Sequence, residues 1–160
     1  ARVSPGTFYN HFDDRDALIG AVVDELAGGV EISGEQLRSV EHDAAARVVI
    51  GTRQLMALAR DEPATARAFV TLLATVPVFR TRVRAIVRSA IDDGIAQGRF
   101  EPRPSLVTTD ALLGAVVQWM RTRLEGEADA SAEAVHLELA LGIAGLPRVD
   151  IDDVIAAATV

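Results

Sequence analysis

Two ten-residue segments in the second half of the chain most constrain its fold, because each is apolar around nearly the whole circumference of a helix. They are ALLGAVVQWM at 111–120 and LELALGIAGL at 137–146. A helix that covers a core on one side needs only one apolar stripe, whereas an all-round apolar helix is buried on two sides. We therefore predict that both helices pack against their own subunit and also against a second copy of the chain.

The predicted homodimer has a four-helix interface. The large apolar side chains expected there are Leu113, Val116, Val117, Met120, Leu139, Ile143 and Leu146. The small residues that would permit close approach of the helices are Gly114, Ala115, Gly142 and Ala144. The alternative is that these are central helices of a monomeric bundle.

Helical periodicity also runs through the rest of the chain, and no segment alternates apolar and polar residues as a half-buried strand does. Pro63 suits the first turn of a helix that Pro77 stops, and Gly98 suits a C-terminal cap. Gly28 and Gly29 interrupt the pattern of the first long helix. Helices are predicted at about 14–26, 43–60, 63–76, 78–97, 106–124 and 131–146, with a last short one capped by Asp150. The predicted fold class is all-α.

Composition narrows the possible functions of this 160-residue chain. The absence of Cys removes disulfides and thiolate metal sites. No apolar run reaches the roughly 18 residues needed to cross a bilayer, and no signal peptide is visible. The net charge of −7 argues on average against nucleic acid as a partner, unless a local element is basic. We expect a cytoplasmic protein without a membrane segment.

The stretch SPGTFYNHF, residues 4–12, predicts a short helix with two different faces. Phe8 and Phe12 are four residues apart, so both point into a core. Thr7 and Asn10 lie on another face, which is small and hydrogen-bonding. Such a face can lie against phosphates and base edges in a DNA groove. A polar helix face can equally be a solvated surface.

The same stretch within VSPGTFYNHF, followed by DDRDAL, resembles the second half of the helix-turn-helix of TetR-type transcriptional regulators, over about Val3 to Leu18. The resemblance implies that residues 1–13 are the rear part of a DNA-binding motif whose first helices come before them. It implies that residues 14–160 are a ligand-binding and dimerisation domain. Thr7 and Asn10 would then face the major groove of operator DNA. The residues expected at phosphates are Ser4, Tyr9, His11 and Arg15.

In regulators of this type an effector enters the helical core and changes the spacing of the two recognition helices, and with it the affinity for operator DNA. Apolar walls with a few polar anchors suit a small hydrophobic molecule. The residues expected to line its cavity are Arg53, Met56, Phe69, Leu73, Phe79, Val83, Gln118 and Trp119. Apolar residues at helical spacing are also ordinary core residues, so both interpretations stay open. The function that the resemblance implies is a repressor that its effector releases from DNA.

Two other functions are considered. One is a dimeric helical ligand-binding module that does not bind DNA. The other is a metal-binding bundle, because Glu133-x-x-His136 is one half of a pattern that di-iron bundles use in pairs. No second copy of the pattern occurs, and no Gly-rich phosphate loop is present. We therefore expect neither an enzyme nor a metal or cofactor.

A stripe of arginines at four-residue spacing is formed by Arg80, Arg84 and Arg88. The stripe is either an anion site or a solvated helix face. In the second case Arg88 pairs with Asp92 one turn further on.

Overall fold

The computed structural model describes residues 15–127 and 130–158, and in this part of the chain every regular element is helical. The elements are α1 Arg15–Val40, α2 Ala44–Asp61, α3 Pro63–Thr75, α4 Pro77–Ala96, α5 Ser105–Leu124, α6 Ala130–Ala144, a 3₁₀ turn Arg148–Asp150 and α7 Ile151–Ala157. The prediction of an all-α fold is confirmed.

Local sequence signals place several helix ends. Pro63 and Pro77 are the first residues of α3 and α4, where a missing N–H has no intrahelical partner to lose. Asp43 caps α2, since its carboxylate accepts a 2.9 Å hydrogen bond from the N–H of Ala45. Gly98 follows α4 with a φ of +69°, which confirms its predicted role as a C-terminal cap.

The first long helix does not stop where the sequence pattern predicts. Gly28 and Gly29 interrupt the apolar pattern after Leu26, but α1 continues through them to Val40. Each mid-helix glycine costs about 1 kcal/mol relative to alanine, so contacts beyond the glycines have to offset that cost. The predicted end near residue 26 is therefore wrong.

Those contacts join the second half of α1 to α4. The guanidinium of Arg82 donates two hydrogen bonds of 2.7 Å to the carboxylate of Glu31. Gly34 brings the two helices close together, because a Cβ added there would lie 3.1 Å from the side chain of Ile86. Tertiary contacts therefore extend the helix past its weak point.

The core surrounds α2, which packs against α3, α4, α5, α6 and α7. Its N-terminal half, residues 44–50, is buried on every side. The rings of Phe69 and Phe79 meet edge to face next to it, with centroids 5.4 Å apart. The helix that is central within the subunit is thus α2, whereas α5 and α6 each keep one exposed face.

Candidate effector cavity

A cavity of about 540 Å³, the central cavity, lies between α1, α2, α4 and α5, with a short contribution from α3. This volume is within the range of small-molecule sites. The apolar side chains among its lining residues are Leu26, Val30, Leu37, Val48, Leu55, Leu58, Phe69, Val83, Ile86, Val87, Ala90, Leu112, Leu113 and Val116. The cavity therefore presents mostly hydrocarbon to an occupant.

Glycines help to keep the central cavity open. Gly29 and Gly34 of α1 and Gly51 of α2 all line it. A Cβ added at Gly51 would meet no heavy atom within 4 Å, so a side chain there would enter free space. Because a mid-helix glycine weakens a helix, its presence usually has a packing or functional reason. At Gly51 that reason is consistent with space for a ligand.

One region of the wall is polar and is held in place by an ion-pair network. Arg47 is only 7% exposed, and its guanidinium donates a 2.7 Å hydrogen bond to Asp93. It also donates to the backbone carbonyls of Glu41 and His42, both at 3.1 Å. Arg38 lies 3.9 Å from the same Asp93 carboxylate. These contacts fix the two guanidinium groups at the cavity wall.

The charges at the cavity wall balance. The ionisable residues among its lining are Glu31, Glu35, Arg38 and Arg47, which have no net formal charge. Thr52 adds a hydroxyl, and this residue is only 5% exposed. An apolar wall without net charge and with a few hydrogen-bonding groups suits a neutral molecule better than an ion.

The structure separates the eight residues predicted to line an effector site. Phe69 and Val83 line the central cavity, and Leu73 lines a smaller groove on another side of α5. Met56 and Phe79 are buried in the core but are not among the lining residues. Two of the eight predicted residues therefore line the central cavity.

The three polar residues of that prediction lie elsewhere. Arg53 donates hydrogen bonds to the backbone carbonyls of Ile155, at 3.1 Å, and of Ala158, and so holds the end of α7. Gln118 is exposed to solvent. Trp119 is buried outside the cavity, although it lies on the helix that supplies part of the wall.

Trp119 packs against His136 of α6, with ring centroids 5.9 Å apart. In the described part of the chain, neither the indole Nε1 nor the imidazole Nε2 has a hydrogen-bond partner, although both atoms are buried. Burial lowers the pKa of His136, because desolvation disfavours its charged form. The pair is therefore an aromatic contact between α5 and α6 whose burial favours the neutral imidazole.

Arg47, Thr52 and Gly51 are among the site residues that the sequence interpretation missed. All three lie in one stretch, AAARVVIGT at 44–52. A single arginine in so apolar a run signals a buried ion pair, and a glycine inside a helical pattern signals a special packing requirement. Both signals were present in the sequence.

Most of the predicted DNA-binding residues lie outside the described part of the chain, as does the predicted domain 1–13. These residues are Ser4, Thr7, Tyr9, Asn10 and His11. Arg15 is the first residue of α1, and only its backbone is described. DNA binding through these side chains stays a prediction.

The residues predicted for the dimer interface divide between the subunit interior and its surface. Four of them are buried by their own subunit: Leu113, Val116, Met120 and Leu146. Val117 and Ile143 are half-buried, and Leu139 is 59% exposed. Other large apolar side chains exposed on α5 and α6 are Leu106, Val107 and Val135. We call Val107, Val135 and Leu139 the exposed apolar face.

The metal-bundle alternative gains no geometric support. Glu133 lies 3.9 Å from the guanidinium of Arg60. In residues 15–127 and 130–158, no group of three or more His, Cys, Asp or Glu side chains is placed to hold a metal ion.

A helix with the length and hydrophobicity needed to cross a membrane is absent from the same described residues.

Comparisons with known proteins point to a fold. No protein-family model and no curated protein sequence matches this chain. The crystal structure of RolR without ligand matches with a TM-score of 0.73 and 21% identity, over 96% of this chain and 80% of RolR. The complex of RolR with resorcinol matches with a TM-score of 0.73 and 20% identity, over 98% of this chain and 78% of RolR. The chain therefore shares the all-α fold of RolR.

Proposed function

We propose that this protein is a ligand-responsive transcriptional regulator, a repressor that binds operator DNA as a homodimer and is released by a small hydrophobic effector. The observation that carries the proposal is the position of α1. This helix follows the residues that resemble a DNA-binding motif, and its residues 26–38 contribute to the wall of the central cavity. An occupant of the cavity therefore contacts the helix that leads to the predicted DNA-binding residues.

The contacts between α1 and α4 would carry the signal. Arg82 of α4 lies 2.7 Å from Glu31 and 3.1 Å from Asp24, both on α1. Arg38 of α1 lies 3.9 Å from Asp93 of α4. An effector that binds one arrangement of these helices better than another shifts the population of DNA-binding dimers. A tenfold change in operator affinity needs about 1.4 kcal/mol of such preference.

The cavity supports a neutral effector with an apolar body and one or two hydroxyl groups. Hydrocarbon side chains would contact the body, and the Thr52 hydroxyl is suited to hydrogen-bond a polar substituent. RolR, whose fold this chain shares, has been crystallised with resorcinol, a small aromatic diol. We therefore include neutral phenols among the first compounds to test.

The homodimer is proposed to form through α5 and α6. The exposed apolar face extends over both helices, which also pack against each other in the subunit. Large apolar side chains at such exposure favour burial against a partner. A symmetric dimer would place the same face on both sides of the interface.

The DNA-binding proposal is tested by fluorescence anisotropy with the DNA segment upstream of the protein's own gene. We expect salt-sensitive binding that competes with unlabelled specific DNA, and dissociation when an effector is added. Ligand binding without any DNA binding would instead favour the dimeric ligand-binding module.

The effector proposal is tested by calorimetry with resorcinol and a panel of neutral phenols, compared between two leucine variants. Gly51→Leu places a side chain in the central cavity and should abolish binding. Gly28→Leu is the matched control, since its added Cβ also meets no heavy atom within 4 Å but the residue does not line the cavity. Binding that survives in Gly51→Leu would exclude the central cavity as the effector site.

A further inference from the structure

A second groove of about 410 Å³ lies between α3, α4 and α5, and we call it the arginine groove. Its apolar lining includes Val70, Leu73, Leu113 and Val117. Leu73 and Leu113 are almost fully covered, at 9% and 8% exposed, so the apolar part of the groove is recessed. The groove thus offers a hydrocarbon surface that a slender molecule can reach.

The charges of the arginine groove are unbalanced. Its ionisable lining residues are Arg80, Arg84, Asp110 and Arg121, three cations against one anion. This is the reverse of the whole chain, whose net charge is −7. The groove therefore concentrates positive charge on an otherwise acidic protein, which favours an anionic occupant.

Among the residues that the structure describes, only one of the three guanidinium groups has a carboxylate partner. Arg84 is neutralised by Asp110, which lies 2.7 Å away. Arg80 donates to the backbone carbonyls of Leu73, at 3.4 Å, and Ala74, at 3.2 Å, which have no formal charge. For Arg121, in the last turn of α5, no ion pair is found with the described residues. Arg80 and Arg121 are therefore available to an external anion.

The structure divides the arginine stripe that the sequence shows at 80, 84 and 88. Arg88 does not line the groove, and it lies 3.6 Å from Asp92, its predicted partner one turn further on. Arg80 and Arg84 line the groove together with Arg121, which comes from another helix. The solvated-face interpretation thus applies to Arg88, whereas an anion site at the other two arginines stays a prediction.

We propose that the arginine groove binds an organic carboxylate with an apolar body, at a site separate from the central cavity. The carboxylate would accept charge-assisted hydrogen bonds from Arg80 and Arg121, a pairing for which guanidinium geometry is suited. The hydrocarbon part would cover Leu73 and Leu113. Leu113 also lines the central cavity, so the experiment has to distinguish the two sites.

The test is isothermal titration calorimetry of the chain with octanoate, compared with octan-1-ol, which lacks the charge, and acetate, which lacks the apolar body. We expect octanoate to bind at least tenfold more tightly than either, and its affinity to fall as NaCl rises from about 50 to about 500 mM. Arg121→Gln should weaken octanoate at least tenfold. Arg88→Gln and Gly51→Leu should leave its affinity unchanged.

Several results would overturn the proposal. Unchanged octanoate affinity in Arg121→Gln would remove the anion site, and loss of binding in Gly51→Leu would assign octanoate to the central cavity. If Arg121→Gln leaves octanoate binding intact but weakens self-association in sedimentation equilibrium, the groove holds an acidic side chain of a second copy. Arg121 is the decisive position, because Arg80 also holds the carbonyl end of α3 and its replacement affects that helix.

Discussion

Glu31 of α1 accepts two hydrogen bonds of 2.7 Å from the guanidinium of Arg82 of α4. This contact lies just beyond Gly28 and Gly29, where the sequence pattern predicts that the helix ends. It joins α1, the helix that follows the predicted DNA-binding residues, to α4. Both helices supply part of the wall of the central cavity. The pair thus stabilises the packing of α1 on α4. Under the proposed function it is also a contact that an effector would change.

Replacing Arg82 by Gln should lower the free energy of unfolding slightly and in a pH-dependent way. Hydrogen bonding from Arg82 lowers the pKa of Glu31 below its ordinary 4.5. The contribution of the pair is therefore complete above about pH 4.5 and is lost as pH falls through the lowered pKa of the folded state. Urea unfolding of both proteins at several pH values checks this. A difference that persists unchanged at pH 3 or in high salt would contradict the ionic origin.

The helix ends and the cavity differ in how far sequence can predict them. Pro63, Pro77 and Gly98 act through local backbone chemistry, so their positions define helix ends without knowledge of the fold. The part of α1 beyond its glycines instead contacts α4, for example through the pair of Glu31 and Arg82, which are more than fifty positions apart. Sequence pattern alone contains no information about that contact.

The lining of the cavity was predictable only in part, for a similar reason. Phe69 and Phe79 both recur at apolar positions of their helices, and their rings touch. Only Phe69 lines the central cavity, while Phe79 is fully buried. Which apolar residue faces a cavity depends on how the helices pack, which periodicity does not specify.

Two glycine-to-alanine substitutions should have opposite effects on stability. Gly51→Ala should raise the free energy of unfolding by about 0.5–1 kcal/mol, because the added methyl meets open space and the helix gains propensity. Gly94→Ala should lower it by about 1–3 kcal/mol, since the methyl would lie 2.1 Å from the ring of Phe100. Urea unfolding measures both. Destabilisation by Gly51→Ala would show that the cavity wall is closed at that point.

Stability should also depend on His136 at mildly acidic pH. Burial lowers the pKa of this imidazole below its ordinary 6.5, so the folded state binds fewer protons than the unfolded state. The titration of His136 is therefore expected to cost no stability above about pH 6.5 and to lower the free energy of unfolding as pH falls below that value. His136→Leu removes this titration, so its free energy of unfolding should fall less between about pH 7.5 and about pH 5.5. Parallel losses in both proteins would contradict the assignment.

Substitution of Arg47 should lower the free energy of unfolding more than substitution of most other charged residues of the described chain. It is almost fully buried, and its guanidinium holds Asp93 and two backbone carbonyls. Arg47→Met keeps the bulk but removes three hydrogen bonds donated by a buried guanidinium, which should cost about 1–3 kcal/mol. Chemical unfolding measures the loss, and Arg88→Met, at an exposed arginine, is the control that should change little. Equal effects of the two variants would mean that the buried network contributes nothing specific.

A charge placed on the exposed apolar face should prevent the proposed dimer from forming without unfolding the subunit. Leu139 is 59% exposed on α6, so Leu139→Arg removes few contacts within the subunit, but would bury an unpaired charge in the proposed interface. Sedimentation velocity should then show monomer at concentrations where the parent chain is dimeric, with the helical signal in circular dichroism retained. Val149→Arg changes an apolar residue that is 85% exposed outside α5 and α6, and should leave the dimer intact. Dissociation by Val149→Arg alone would place the interface at that end of the molecule instead.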